Sequence, residues 1–398
     1  MISAQEALQI ILERAQPLET VSVALQHSLG YATAENVRSE MNIPPFDNAG
    51  MDGYAVRAED IVVPPKTLAL LGEVSAGTPS VKPLGANEAY LITTGAKIPP
   101  GCTAVAQNEI AEPVDANHVK ILQSVSQGAH IRKAGGDIRK GDLVLGNGRQ
   151  IRPQEIGVLA SLGKQFVNVY RKPSVAVVAT GSELVELNKP LTDGKIRNSN
   201  ARMLLALLED CSATGVNLGI AKDVKDEISG KLREGLHADM LITSGGVSAG
   251  KYDLVIDAMK EVGIEIVFWK VNIKPGMPMA FGMYGAKPVF GLPGNSVSTM
   301  VTFLKFVKPA IQKLSGFREM EHHLKLRAVL THEVKKTDGR RHFVRGVFEN
   351  IDGKLQVTAT GSQVSNVLTS LSKANCLIVL PEETGIAREG EEVEIELL

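Results

Sequence analysis

Apolar positions along this chain change rhythm three times. Near the start they follow a helical period: Ala7, Ile10, Ile11 and Ala15 share one face, Ser3 stands at the capping position, and Glu6 completes a capping-box pattern. The stretch 21–34, VSVALQHSLGYATA, predicts a second short helix. From 42 to 140 short apolar runs such as YAVRA, TLALLGEV, EAYLITTG and HVKILQSV alternate with proline and glycine. That spacing predicts a compact β-rich unit. The run PQEIGVLASLG, 153–163, returns to a helical period.

Beyond residue 172 strands and helices alternate. PSVAVVAT, GVNLGIA, ADMLITS, IEIVFWKV and KPVFGLP read as strands, and the helices between them include NARMLLALLEDC, with Asn200 as the expected cap. The closing helix is NSVSTMVTFLKFVKPAIQKL. Such alternation predicts right-handed βαβ units, hence a doubly wound, mostly parallel sheet with helices on both faces. From 322 onward the pattern shortens to strands again (LKLRAVL, RHFVRGVFE, LQVTAT, CLIVLP, EEVEIEL), which predicts a small C-terminal β-barrel-like domain. The fold class is therefore multidomain α/β plus β.

Composition narrows the function classes more than the fold. At 398 residues the chain exceeds one ordinary core, and roughly two to four domains are expected. Aromatics make up 4%, with one tryptophan, and the net charge is −1, which argues against nucleic acid as a partner. No segment approaches the roughly 18 apolar residues of a membrane span. The N-terminus carries acids where a signal peptide is basic, and three scattered cysteines form neither a disulfide framework nor a zinc spacing. A cytoplasmic protein with no membrane partner is the expectation.

Ligands of an open α/β sheet bind beyond the carboxyl ends of its strands. Three loops there are rich in glycine and serine: VVATGSEL, LITSGGVSAGKYD and VFGLPGNSVS. Small residues let backbone N–H groups approach an oxyanion closely, and a following helix adds the positive end of its dipole. Ser244, Gly245, Gly246 and Ser248 in the second loop, and Pro293, Gly294 and Asn295 in the third, are the candidate contacts. Neither G-x-x-x-x-G-K-[ST] nor G-x-G-x-x-G is present. The same edge carries Glu183, Asp223 and Asp253, which suit Mg²⁺ beside a phosphate or serve as helix-terminus acids. Lys274 in VNIKPGMP can neutralise a phosphate or remain a surface lysine. Arg132, Lys133, Arg139 and Lys140 read as a solvated loop, and His322–His323 as a surface or core pair rather than metal ligands.

With these motifs in order the chain resembles the molybdopterin molybdenumtransferase family, the MoeA proteins and the gephyrin E domain. The matching stretches are PPFDNAGMDGYAV, ITTGAKIPPGCTAVAQNE, RKAGGDIRKGD, ATGSELVE, GKIRNSNARML, LITSGGVSAGKYD, IKPGMPMAFG, FGLPGNSVS and HFVRGVF, collinear from 40 to 350. The resemblance implies a helical linking domain in two pieces, 1–40 and 139–170. It also implies an inserted β-rich domain at 41–138, the α/β domain at 171–318 and the C-terminal β domain at 319–398. It further implies an elongated homodimer, in which the site faces parts of the partner chain. The implied activity is Mg²⁺-dependent insertion of molybdenum from molybdate into adenylylated molybdopterin, with release of AMP. The pathway's adenylyltransferase is a further implied partner.

By motif position Asp52, Thr94, Asp223, Lys274, Arg345 and Ser365 match functional positions of that family. Arg345 and Ser365 would then bring the C-terminal domain to the cleft as an oxyanion clamp. Glu183 and Asp253 become candidates for Mg²⁺ or for general acid–base work. The chain departs from the family pattern at Met277, where a lysine is common, at Ser182 in place of an acid, and at Ala49–Gly50. Two rival functions share parts of the pattern: an adenylyltransferase that makes the adenylylated pterin, and a non-catalytic scaffold. Molybdate and tungstate are too alike for the residues to separate. In NIPPFDNAGMDGYAV, 42–56, Asp47 and Asn48 shape the turn, and Asp52 is expected to be carried toward the partner's α/β cleft.

Overall fold

The structure is a computed structural model and describes residues 1–247, 254–318 and 325–398. Ser3 caps as expected: its hydroxyl accepts the Glu6 N–H at 3.1 Å. Helix α1 (Ala4–Arg14) buries Ala4, Ala7 and Ile11, which join the apolar cluster of the central α/β layer. The second N-terminal helix is absent. Strand β1 (Thr20–Ala24) and one turn of 3-10 helix, Leu25–His27, stand there instead. The strand pairs antiparallel with Phe166–Tyr170, from Thr20 opposite Tyr170 to Ala24 opposite Phe166. β-branched Thr20, Val21 and Val23 suit a pleated surface, and a distant partner overrides the local helical period.

The inserted unit is one six-stranded sheet. Its strands are β2 (Gly53–Val56), β3 (Lys66–Val74), β4 (Glu88–Ile92), β5 (Ala104–Gln107), β6 (Ala111–Asp115) and β7 (His118–Ile121), in the order β5-β2-β4-β3-β7-β6. Gly53 opens β2 where an added Cβ would lie 2.0 Å from the Ala106 carbonyl oxygen, so the strand pairing demands glycine there. Helix α2 (Pro153–Ser161) and strand β8 (Phe166–Tyr170), the partner of β1, lead out of this region.

The α/β domain follows the predicted alternation. Its elements are β9 (Ser174–Thr180), α3 (Ser199–Asp210), β10 (Thr214–Ala221), α4 (Lys225–Gly235), β11 (Met240–Ser244), α5 (Leu254–Glu261), β12 (Glu265–Trp269), β13 (Ala280–Tyr284) and β14 (Lys287–Leu292). The order is β10-β9-β11-β14-β13-β12, with the first four strands parallel and β13 antiparallel to both of its neighbours. Strand β13 escapes the sequence reading because its residues sit in the Pro- and Gly-rich run IKPGMPMAFG. One apolar cluster covers the face that holds α1 and α3, another the face of α4 and α5.

The closing helix is α6 (Ser296–Thr302), a π segment Phe303–Val307 and α7 (Lys308–Leu314). Pro309 has no N–H for the Lys305 carbonyl, so the ladder must widen there. Asn198 rather than Asn200 caps α3, its Oδ1 accepting the Ala201 N–H at 3.2 Å. The capping geometry is met two residues earlier than expected, which frees Asn200 for the cleft.

The C-terminal domain comprises β15 (Lys325–Leu330), β16 (Arg341–Ile351), β17 (Lys354–Ala359), α8 (Thr369–Lys373), β18 (Cys376–Leu380) and β19 (Glu392–Leu397). The strand order is β16-β17-β15-β19-β18, and β18 pairs back onto β16, closing a five-stranded barrel with no free edge. Ile273–Lys274 pairs parallel with Arg341–His342 at the start of β16, so a loop of the α/β domain extends the barrel's ladder.

Two carboxylates set the acid limit of this fold. Arg152 holds Glu155 at about 2, against an ordinary 4.5. Burial raises Asp239, but hydrogen bonds from Arg171 and Ser174 outweigh it and hold that carboxyl at about 2 as well. Both pKa values are depressed by folding, so their contribution is fully present above about pH 4.5 and is lost as pH falls toward 2. For Asp239, whose Oδ2 lies 2.8 Å from Arg171 Nη1, it is about 2 kcal/mol. The unfolding temperature is expected to fall across that window, and Asp239→Asn to flatten the fall. An acid limb of unchanged slope in Asp239→Asn would exclude this carboxylate as a cause.

Candidate functional site

The carboxyl ends of β9, β11 and β14 open into one cleft of about 1060 Å³, and the barrel forms its far wall. Ser244, Gly245, Gly246, Pro293, Gly294 and Asn295 all line it, as the sequence predicts. Gly245 takes φ +102° and its N–H donates to the Leu292 carbonyl at 3.0 Å, tying the end of β11 to that of β14. Ser248 and Asp253 lie outside the described residues, as do His322 and His323.

Asn200 is the residue that sequence reasoning missed as a site group. Its Nδ2 donates to the Gly294 carbonyl at 2.7 Å and to Ser244 Oγ at 3.0 Å, bracing two of the three loops against each other. The carbonyl can only accept, so the amide orientation is determined. Oδ1 is buried with no donor among the described residues. The doubled asparagine in RNSN was the available signal, since one helix N-terminus takes one cap.

Glu183, Asp223 and Lys274 line the same cleft. Asp223 Oδ2 accepts the Ser182 N–H at 2.8 Å, and Ser182 Oγ accepts the Asp223 N–H at 3.0 Å. The serine in ATGSEL thus ties the ends of β9 and β10 together, and the second Asp223 oxygen has no hydrogen-bond partner among the described residues. The Glu183 carboxylate has no hydrogen-bond or ion-pair partner among the described residues. Lys274 Nζ stands 3.3 Å from Asp338 Oδ2. Among the described residues no cluster of three or more His, Cys, Asp or Glu side chains could hold a metal unaided.

Arg345 does not present the expected fork of donors. It is 1% exposed, and its guanidinium turns inward: Nε donates to Ser370 Oγ at 3.1 Å, Nη1 to the Gln363 carbonyl at 3.3 Å, and Nη2 to the carbonyls of Ser362 and Val364 at 3.3 and 3.1 Å. Four of its five N–H groups are taken. Burial pushes its pKa down. Its work is to fold the 362–365 loop, which delivers Ser365: Asn295 Nδ2 donates to Ser365 Oγ at 2.9 Å. At the root of the second loop, Trp269 Nε1 donates to the Val247 carbonyl at 3.4 Å.

Asp52 and Thr94 are together but not in this cleft. Asp52 Oδ1 accepts the Thr94 N–H at 2.6 Å and the Thr94 hydroxyl at 2.7 Å, and these bonds lower its pKa. Its other oxygen has no hydrogen-bond partner among the described residues. Asp47 shapes the turn, accepting from Lys133 Nζ and from the Ala134 N–H at 2.8 Å each. Arg132 also binds the turn, donating to the Gly50 carbonyl at 3.3 Å.

Three family models match successive parts of the chain. They are the MoeA N-terminal region (domain I and II) over residues 2–163, a probable molybdopterin binding domain over 176–313, and the MoeA C-terminal region (domain IV) over 327–398. A molybdopterin molybdenumtransferase of Haemophilus influenzae is 38% identical, covering 100% of this chain and 98% of the relative. One of Bacillus subtilis is 35% identical, covering 100% and 94%. The crystal structure of a molybdopterin biosynthesis moeA protein from Pyrococcus horikoshii superposes over 100% of both chains, with a TM-score of 0.87 and 31% identity.

Proposed function

As a member of the MoeA family of molybdopterin molybdenumtransferases, the chain is a transferase of molybdenum cofactor biosynthesis, and we propose that its cleft binds adenylylated molybdopterin and molybdate, inserts the metal into the pterin dithiolene and releases AMP. One observation supports this most directly: three small-residue loop ends and a lysine converge on a single cleft of about 1060 Å³. Backbone N–H groups at such loop ends suit the phosphates of the adenylylated pterin. The thiolates for molybdenum come from the pterin, so the protein need offer no cysteine. Lys274 supplies positive charge for an oxyanion, and Asn200 keeps two loops in register under the ligand.

Mg²⁺ fits this donor set in the way it commonly binds, through one or two carboxylates plus substrate phosphates and water. Glu183 and the free oxygen of Asp223 would hold it, with Asp253 as the further candidate, and it would screen the phosphate charge from these acids. The assay is direct. Protein supplied with adenylylated molybdopterin and Mg²⁺ should release AMP when molybdate is added and not before. Formation of adenylylated pterin from ATP would support the adenylyltransferase reading instead. Absence of any turnover would favour the scaffold.

The Asp52–Thr94 pair supports a homodimer in which that carboxylate serves the partner's cleft. Asp52→Ala is expected to lower AMP release by at least tenfold. Mixed dimers of Asp52→Ala and Lys274→Met chains should regain part of the activity, because one of their two clefts is intact. A protein that sediments as a monomer and still turns over would refute the shared site. The pathway's adenylyltransferase is the proposed protein partner, since it supplies the adenylylated substrate. A cytoplasmic setting suits that chemistry, and no helix of the described residues is long and apolar enough to cross a membrane.

A further inference from the structure

The barrel wall of the cleft carries a carboxylate, Asp338, and a guanidinium, Arg340, that no step described above uses. Asp338, 23% exposed, lies in the turn before β16 and behind the cleft-lining side chains. One of its oxygens, Oδ2, receives Arg340 through Nε at 3.1 Å and Nη2 at 2.5 Å, with Lys274 Nζ at 3.3 Å. The other, Oδ1, is 2.6 Å from His342 Nε2. The nearby Glu382 carboxylate is engaged by Arg341 at 3.1 Å. Among the described residues Asp338 is therefore the one carboxylate paired with both Lys274 and Arg340, two cations that line the cleft.

We propose that Asp338 is a positioning residue for the oxyanion end of the cleft, and that Arg340 is the donor it presents there. Two of the three guanidinium nitrogens are held by the carboxylate. The third, Nη1, has the Met277 thioether, 4.0 Å away, as its one hydrogen-bond partner among the described residues. A thioether accepts weakly, so the Nη1 donors remain available to a tetrahedral oxyanion. Met277 brings no charge of its own, and the lining cations held by Asp338 are Arg340 from the barrel and Lys274 from the α/β domain; Lys335, which also lines the cleft, is paired with Glu333 at 3.2 Å. The two cations belong to different domains. The ladder Ile273–Lys274 against Arg341–His342 sets their backbones, the Arg341 N–H donating to the Asn272 carbonyl at 3.1 Å, and Asp338 sets their side chains. Two positive groups on one negative group leave one unit of charge for the incoming anion.

The inference rests on the reading of this cleft as a molybdate site, and the test separates the two. Steady-state AMP release is measured against molybdate concentration for the unmodified protein and for Arg340→Gln, Arg340→Lys, Asp338→Asn and Asp338→Glu. Arg340→Gln is expected to raise the KM for molybdate by roughly ten- to a hundredfold, the worth of one charge-assisted contact. Asp338→Asn should raise it by about tenfold, with a much smaller change in the KM for adenylylated molybdopterin. Arg340→Lys and Asp338→Glu should each recover part of the loss. An unchanged or lowered KM for molybdate in Arg340→Gln or Asp338→Asn overturns the inference while leaving the activity in place. A lowered KM in Asp338→Asn would mean that the carboxylate competes with the anion. AMP release that ignores molybdate in the unmodified protein sinks the underlying reading and this inference with it. Arg340 is partly exposed, so Arg340→Gln remains informative even where an Asp338 variant fails to fold.

Discussion

Gly245→Ala is expected to abolish measurable turnover and to destabilise the α/β domain. The residue takes φ +102°, a region closed to side chains without strain, and a Cβ there would lie 2.5 Å from the Thr180 carbonyl oxygen and 3.0 Å from Thr180 Oγ1. The carbonyl cannot give way, because β9 and β11 are paired up to this point, Ala179 opposite Ser244. Backbone strain and overpacking each cost about 1–3 kcal/mol, so a loss of about 2–5 kcal/mol is expected in chemical unfolding. The functional loss should be larger in proportion. The methyl group can be relieved only by moving the loop, and a displacement of about 1 Å at a reacting centre can cost roughly a hundredfold in rate. A Gly245→Ala protein with full activity and an unshifted unfolding midpoint would show that the loop is not a rigid part of the site.

Arg345→Ala is the second large effect, and its pattern is different. Truncation removes the donors from three carbonyls, of Ser362, Gln363 and Val364, and from Ser370 Oγ. Leaving that many buried acceptors unpaired should cost about 3–5 kcal/mol in the barrel's stability. The loop that carries Ser365 loses its scaffold, so its hydrogen bond with Asn295 should fail and substrate KM should rise. Arg345→Lys keeps the charge but cannot reach three carbonyls from one nitrogen, and should recover little of either loss. Had Arg345 been a solvent-facing clamp, the lysine variant would keep most of the stability and much of the binding. Stability and KM measured on the two variants together decide between these roles.

The parts of the fold that could be read in advance are those where local pattern and long-range pairing agree. The buried strands Ser174–Thr180 and Met240–Ser244 are apolar throughout and are flanked by helices of regular period, so their neighbours in sequence are also their neighbours in space. Thr20–Ala24 failed that test because its partner strand begins at Phe166 and no nearby residue betrays it. Strand Ala280–Tyr284 was hidden by the prolines and glycines before it, which read as loop until the antiparallel pairing with Lys287–Leu292 is known.

The site divides in the same way. Glycine and serine at strand ends point to a cleft because small residues leave backbone N–H groups open to a ligand. Which way a long side chain turns is not written locally. Arg345 turns inward because the carbonyls of 362–364 surround it, and Arg340 lies along the wall because Asp338 is two residues away and Lys274 is across a domain boundary. Asp52 was read for its carboxylate, and its distance from its own chain's cleft follows only from the inserted sheet.

The hydrogen bond from Trp269 to the Val247 carbonyl turns the cleft into its own indicator. This is the only tryptophan in 398 residues, so the chain's indole emission comes from one place, at the root of the second Gly-rich loop. The ring also lies against the Lys270 ammonium, 4.3 Å from its centroid, which makes its emission sensitive to the charge around it. Occupancy of the cleft is therefore expected to shift this emission in the unmodified protein, with no attached dye. Each substitution discussed above can be screened for ligand binding before any turnover is measured.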